Sequence, residues 1–320
     1  MKILFIGQIR NAPLENSSPG AINSVAASRG HQIVERISEN PDVVICYNWN
    51  SQSNAVLRSA RTLEIPAILV KSEPSIVTPE HMSAKIDALF SRVVDLGRPY
   101  SSPVIKYPQV WNLDFFDNPK KRLDRVVSIS ANKFSFVPGE LYSLRARSYS
   151  EFDSVDVFGP GWDRRVFRNV LKLAKELEIA VVGGCRRLNL DCLKTLNVRP
   201  HNALGRAENK LETLSRYKVS LVIENSAEYM SEKLLDSIFA GTIPVYVGPP
   251  VEAFEIPEGL VISADANISS IRAALLQATH IRHQDWHNLA RKWLTTPGVR
   301  ESWEAGRAMT TVLEVAESEI

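Results

Sequence analysis

The sequence predicts an α/β protein made of two parallel-sheet domains, and three observations predict it. Short apolar runs alternate with helix-length segments along the 320 residues, the pattern of strands joined by crossover helices. A stretch rich in proline and turn residues, "YSSPVIKYPQVWNLDFFDNPKKRLDR", interrupts that alternation and ends in a charge cluster. Beyond it the alternation starts afresh, and a chain of this length suits two cores better than one.

In the first half, "KILFIG" gives a buried strand and "DVVICYNW" a second. Ser51 to Leu63 has helix-like patterning, and "PAILVKSEP" and "SRVVDLG" follow as strands. The boundary is expected near Asn118 to Arg125, which divides the chain into residues 1–120 and 121–320. In the second half "RVVSIS" is a strand, Gly139 to Ser150 a helix, "VDVFG" a strand, Arg164 to Glu176 a helix and "IAVVGG" a strand. A helix ending near Tyr217, the unit "VSLVI…SEKLLDSIFAG…TIPVYVG", the run "GLVIS" and amphipathic helices complete it. The segment from about Arg300 is expected to pack back on the first domain.

Composition narrows the function. Apolar residues are 44% and charged residues 23%, and a formal charge of +2 is too small to point to nucleic acid or another polyanion. Basic pairs such as Arg164 with Arg165 and Arg186 with Arg187 read as solvated surface. No apolar run reaches the length of a bilayer, and "MKILFIGQIRNAP" reads as a first strand, not a signal peptide. Cys46, Cys185 and Cys192 form neither a C-x-x-C pair nor an even set, so a disulfide framework and a zinc site are disfavoured and a reducing cytoplasm is expected. "FIGQIRNAP" lacks G-x-G-x-x-G, which disfavours a nicotinamide or flavin cofactor and leaves Gly7 and Gln8 as candidates to line an acceptor site.

The chemistry concentrates in "VSLVIENSAEYMSEKLLDSIFAGTIPVYVGPP". Two β-rich runs flank a helix with Leu234, Leu235, Ile238 and Phe239 on one face and Gly241 at its end, so this is a strand–helix–strand crossover. In such a unit the end of the first strand and the start of the helix face the ligand, which puts Glu224, Asn225, Tyr229, Glu232 and Lys233 around one opening. A lysine in the first helical turn opposes the helix dipole unless an anion sits there too. Lys233 with the backbone N–H groups reads as a phosphate site, Glu232 as an acceptor for sugar or ribose hydroxyls, and Asn225 as a donor to a phosphate oxygen. The competing reading is a capped surface helix with an internal Glu–Lys pair.

This segment resembles the signature of family 10 fucosyltransferases, which runs approximately Y-K-F…F-E-N-S…Y-[IV]-T-E-K…G-x-x-P-V-x-x-G. Upstream, "NALGRAENKLETLSRYK" and "SISANK…ELYSLRARSYSEFDSVDVFGPGW" look like the lead-ins to it, so the resemblance covers roughly Val127 to Ile262. It implies a GT-B type fold, two Rossmann-like domains facing each other across a cleft. It further implies an acceptor-binding domain over 1–120, a GDP-sugar donor domain over 121–320, and transfer of fucose from GDP-fucose. Carried over by position, the donor contacts fall on Asn225, Tyr229, Glu232 and Lys233, and the phosphate-binding arginine on Arg145 or Arg147, with Arg145 preferred. Ser231 stands where the family has threonine, and the loop from Asn225 to Tyr229 is shorter than in the family. Lys233 and an arginine can supply the charge that the leaving GDP needs, so no cofactor or metal is expected, and the resemblance implies a glycan or lipid-linked saccharide acceptor. It fits a bacterial cytoplasmic enzyme without a transmembrane segment, with peripheral membrane association left open.

An inverting transfer needs a base for the acceptor hydroxyl. "KSEPSIVTPE" ends a strand in Glu73 and looks like the family segment that carries the proposed general base. Other candidates are weaker. His283 and His287 at helical spacing, with His280 nearby, have no patterned carboxylate beside them and read as a polar helix surface. "DFFD" at Asp114 to Asp117 lies in the linker and is disfavoured as a metal motif. Tyr47, Asn48, Trp49 and Asn50 suit sugar stacking and hydrogen bonding, and suit a turn beside a buried tryptophan equally. Two rivals stand beside the fucosyltransferase reading: the same fold with another nucleotide sugar, and a non-catalytic nucleotide-sugar-binding protein.

Overall fold

The computed structural model describes residues 1–7, 18–118, 121–162, 170–182, 185, 187–196 and 198–320. Gln8, Arg164, Arg165 and Arg186, with the start of the helix expected from Arg164, lie outside the described residues. The chain divides into two compact units, Met1–Val110 with Arg300–Ile320, and Trp111–Val299.

Five strands build the first unit: β1 (Lys2–Gly7), β2 (Gln32–Val34), β3 (Val43–Tyr47), β4 (Ala67–Lys71) and β5 (Arg92–Asp95). Their order is β2-β1-β3-β4-β5 and every pair is parallel. Parallel sheets are covered on both faces, so their strands read as unbroken apolar runs. Helices α1 (Ser18–Ser28) and α2 (Asn54–Thr62) supply cover. Val43 and Ile45 join Ile3, Ile68, Val70 and Ile22 of α1 in one cluster. The alternate residues Val44 and Cys46 join Leu4, Leu69 and Leu57 of α2 in another. A short helix α3 (Ala84–Asp87) precedes β5.

The C-terminal helix, Ala305–Glu317, completes the first of these clusters with Met309, Val312, Leu313 and Ala316, spaced along one helical face. Glu317 meets Arg29 at 2.6 Å and His31 at 2.7 Å. The units therefore differ from a division of the chain at residue 120, because that apolar face finds its partners in α1 and the first sheet. Among the described residues no helix is long and apolar enough to cross a membrane.

In the second unit, β6 (Leu123–Ile129), β7 (Val155–Phe158), β8 (Asn202–Ala203), β9 (Tyr217–Ile223), β10 (Ile243–Val247) and β11 (Ile262–Ser263) run in the order β11-β10-β9-β6-β7-β8. All of these pairs are parallel too. Helix α4 (Tyr142–Glu151) lies between β6 and β7, and α5 (Val170–Val182) follows β7. Helix α6 (Lys210–Ser215) leads into β9, α7 (Lys233–Phe239) joins β9 to β10, and α8 (Ile268–His280) and α9 (His283–Leu294) follow β11. One expectation is corrected here. "IAVVGG" was expected as a strand, but Ile179 to Val182 continue α5, since "LKLAKELE" before them holds no breaker and the helix propagates through.

The topology singles out one place. Strands β6 and β9 are neighbours, yet the chain leaves β6 for β7 on one side and β9 for β10 on the other. Beyond the carboxyl ends of two such strands lies the usual ligand position of an open parallel sheet.

Candidate functional site at the end of β9

Strand β9 is buried from Val219 to Ile223 and pairs with β6 and β10, so its last residues are fixed from both sides. The Glu224 amide extends the ladder by donating to Val247 O at 2.8 Å. Asn225 O accepts from Leu141 N at 2.8 Å, and Ser226 bridges both Glu140 and Tyr229 in antiparallel fashion. That second bridge closes the shortened loop on itself. Tyr229 is buried beneath it at 3% exposure, while Asn225 stays partly exposed.

Glu224 has no exposed surface. Its Oε1 accepts from Ser231 N at 2.9 Å, and its Oε2 accepts from Ser231 Oγ at 2.7 Å and Lys233 Nζ at 3.0 Å. Lys233 Nζ also donates to Ser231 Oγ at 2.7 Å. Its place at the strand end makes Glu224 a candidate donor contact beside Asn225 and Lys233, but its carboxylate is spent on bracing Ser231 and Lys233. An ammonium has three donors, so Lys233, at 15% side-chain exposure, keeps one beyond this pair. Tyr246 lies against the same carboxylate, and burial together with the Glu224 charge pushes its hydroxyl well above the usual tyrosine range. A Cβ on Gly248 would sit 2.4 Å from the Tyr246 hydroxyl and 2.9 Å from Glu224 Cγ, which accounts for the glycine. Gly241 is fixed similarly, by φ +68° and a Cβ position 2.5 Å from Phe116 O.

Glu232 precedes α7 with its side chain 45% exposed. Lys210, at the start of α6, reaches its Oε1 at 3.2 Å and also pairs with Asp236. Burial alone would raise the Glu232 carboxyl, but Lys233 and Lys210 overcome it and hold the group down to about 2.

The two arginines of α4 part company. Arg145 is buried, and its Nη2 donates to Ile223 O at 2.6 Å, Glu224 O at 3.0 Å and Asn225 Oδ1 at 3.3 Å. Its Nε is buried without a partner. Arg147, two residues on, is exposed. Thus Arg145, Asn225, Glu232 and Lys233 gather at the end of β9, with Tyr229 and Glu224 buried behind them and Arg147 elsewhere.

Residues 158–284 match the family model described as glycosyltransferase family 10 (fucosyltransferase), C-terminal. Those residues, about two fifths of the chain, are therefore similar to the C-terminal domain of glycosyltransferase family 10. A putative fucosyltransferase-like protein of Arabidopsis thaliana is 35% identical over 97 residues, 26% of this chain and 19% of that protein. The alpha-(1,3)-fucosyltransferase FucT of Helicobacter pylori is 46% identical over 52 residues, 15% of this chain and 11% of that protein. Each match therefore spans less than a fifth of the relative's own length. A crystal structure of an alpha1,3-fucosyltransferase with GDP has a TM-score of 0.52 and 16% identity, covering 99% of this chain and 90% of that one. Anabaena Alr3699/HepE in complex with UDP and glucose has a TM-score of 0.51 and 12% identity, covering 99% and 100%. These likenesses show the fold, the GT-B type with its two parallel-sheet units.

Outside the family 10 match, the first unit places Glu73 just beyond β4, partly buried, with its backbone O accepting from His81 Nδ1 at 2.9 Å. A carbonyl only accepts, so the proton of His81 is on Nδ1; its Nε2 is buried without a partner. Burial, the hydrogen bond notwithstanding, lowers the His81 imidazole to about 4, helped by the charges of Lys71 and Arg98. Lys71 Nζ in turn donates to His81 O at 2.9 Å and meets Asp87 of α3 at 2.8 Å. Asn48, at φ +51°, brackets Ser72 with bonds of 2.8 Å to its amide and 2.7 Å to its hydroxyl. Trp49 Nε1 bonds Asn54 and Asn50 caps the turn before α2. The asparagines thus do turn and capping work.

At the other end of the second sheet, a cavity of about 440 Å³ is lined by Phe116, Arg122, Lys218, His283 and His287 among others. Its basic groups are committed: Arg122 to four carbonyls, Lys218 to Thr279 O, His283 to Gly241 O and His287 to Phe116 O. Among the described residues no three His, Cys, Asp or Glu side chains come together to hold a metal. Lys210, Asp236 and His81 are what sequence reading missed. For Lys210 a signal existed, an asparagine–lysine pair inside the quoted lead-in facing two carboxylates four residues apart.

Proposed function

We propose that this chain is an inverting α-1,3-fucosyltransferase that moves fucose from GDP-fucose to a hydroxyl of a glycan or lipid-linked saccharide. The observation that carries the reading is the cluster of Arg145, Asn225, Glu232 and Lys233 at the carboxyl end of β9, within and beside the family 10 match. The 46% identity to the H. pylori enzyme supports the sugar and the linkage. In the reaction the acceptor oxygen attacks the anomeric carbon from the face opposite the diphosphate, and the bond from that carbon to the GDP oxygen breaks. The acceptor proton passes to Glu73, and GDP leaves with the bonding pair. The remaining donor of Lys233 and the Arg145 guanidinium answer the charge that grows on the diphosphate. No metal or other cofactor is needed in this reading. A cytoplasmic setting in a bacterium belongs to it as well, supported by three free cysteines.

The test is GDP or UDP release from a panel of GDP-fucose, GDP-mannose, UDP-glucose and UDP-N-acetylglucosamine, with a mixed glycan acceptor pool, with and without EDTA. Release from GDP-fucose alone, unchanged by EDTA, is the expected result. Turnover of a UDP-sugar in its place sinks the donor assignment. Loss with EDTA and recovery with Mn²⁺ sinks metal independence, and binding without any release leaves a nucleotide-sugar-binding protein.

A further inference from the structure

We propose that Lys210 is a positioning residue of the donor site, which holds the Glu232 carboxylate in place to accept hydroxyl groups of the nucleotide sugar. This rests on the donor reading above and adds to it a residue outside the Glu224–Lys233 segment.

Lys210 comes from α6 and touches α7 at two points one turn apart, Glu232 and Asp236. Carboxylates four residues apart on a helix repel each other, and a single ammonium between them turns that repulsion into a bridge. The two ends of the bridge differ. The Asp236 side chain is 17% exposed, whereas that of Glu232 is 45% exposed. Lys210 therefore ties one carboxylate to the body of the unit and presents the other to solvent.

The neighbouring charges explain why Lys210 is needed. Facing Glu232 are Lys233 beside it, Asp236 on the same helix and Lys210 on α6; behind Lys233 stands Glu224 at the end of β9. Glu224 holds Lys233 at 3.0 Å, so Lys233 acts on Glu232 through its field alone, and Lys210 is the cation that touches both Glu232 and Asp236. Three carboxylates against two ammonium groups leave this cluster suited to hydroxyl donors, with Arg145 the cation on the other side of Asn225. A carboxylate fixed by one oxygen and open at its edge is the group that accepts from a vicinal diol.

Isothermal titration of GDP into the full chain tests this with wild type, Lys210→Met, Lys210→Arg and Glu232→Gln, from pH 7 to pH 5. Loss of one charge-assisted contact corresponds to about tenfold in affinity, so Lys210→Met is expected to weaken GDP by about that factor at pH 7. Its affinity should fall more steeply than that of wild type toward pH 5, because without Lys210 only Lys233 opposes burial and Glu232 is protonated more readily. Wild type and Lys210→Arg should share one shallower slope, set by the terminal phosphate of GDP, whose second pKa is about 6. A purely structural lysine would lower the melting temperature without steepening the slope beyond that of wild type. If Lys210→Met does not fold, Lys210→Gln carries the same expectation. Unchanged affinity in the Lys210 variant, or a loss with the same pH slope as wild type, overturns the inference alone, provided that Glu232→Gln weakens GDP. Wild type that fails to bind GDP overturns the donor reading and the inference together.

Discussion

The loop after β9 and the loop after β4 carry the candidate residues of the two units, and they are held by different means. After β9 the braces are side-chain charges: Glu224 on Lys233, Lys210 on Glu232, and Arg145 on two carbonyls and Asn225. After β4 the braces grip mostly backbone: His81 holds Glu73 O, Lys71 holds His81 O, and Asn48 holds the Ser72 amide. The first arrangement depends on the identities of Glu224, Asn225, Ser231, Glu232 and Lys233. The second fixes the path of the chain that carries Glu73. If Glu73 is the base, a mutation there should show first in turnover, while one at Glu224 should show first in the fold.

Glu73→Gln gives the largest effect expected. A general base supplies about 10² to 10⁴ in rate, so if Glu73 holds that role turnover should fall by at least about a hundredfold while GDP affinity in calorimetry changes by less than about twofold. Retained turnover would remove Glu73 from the role and would erase the contrast between the loops. Glu224→Gln should instead unfold the protein more easily. It leaves the Lys233 ammonium poorly exposed and without its counter-charge, a loss of about 3–5 kcal/mol in urea unfolding. Lys233→Met in the same background should recover part of that loss, and no recovery would show that the pair is not what Glu224 serves.

The same contrast governs what the sequence revealed. The strands of both sheets were legible because a parallel sheet covered on both faces needs unbroken β-branched runs, as in "VVICY" and "VSLVI". The edge strands β2 and β8 were not, since three and two residues carry no readable period. "IAVV" misled because a short apolar run reads equally as strand or helix end. At the site, residue types showed which groups were chemical but not which had surface. Glu224 and Glu232 look alike in "IENSAEYMSEK", and only packing separates a carboxylate with no exposure from one nearly half exposed. Lys210 and His81 stayed hidden because their partners are distant in sequence or are backbone atoms.

A smaller effect probes the backbone-held loop. His81 is 4% exposed and its folded imidazole lies at about 4, below an unfolded value near 6.5. Between those values the unfolded chain binds the extra proton, so this stabilisation is complete above pH 6.5 and is lost as pH falls toward 4. A shift of this size is worth on the order of 3 kcal/mol, so melting temperature should drop along that interval in wild type. His81→Gln keeps a donor for Glu73 O and should flatten that acid limb at some cost in stability at pH 7. An acid limb unchanged by the substitution would mean that other groups set it.

The smallest effect expected, at Arg147, decides which arginine of α4 belongs to the site. Arg145 is buried and bound to the end of β9, whereas Arg147 is exposed, with the carboxylate of Asp191 within reach of its field. Replacing an exposed side chain of this kind changes stability by less than about 0.5 kcal/mol. Arg147→Ala should therefore leave the unfolding midpoint nearly unchanged and shift GDP affinity by less than about twofold, an exposed pair being worth little. Arg145→Met should weaken GDP by at least about tenfold, since it removes a buried cation together with its hold on Asn225. Should the two variants exchange these outcomes, the phosphate contact passes to Arg147, and the bonds from Arg145 to Ile223 O and Glu224 O become the whole of its work: a buried clasp on the end of β9, of the same kind as the Asn48 clasp on Ser72 in the first unit.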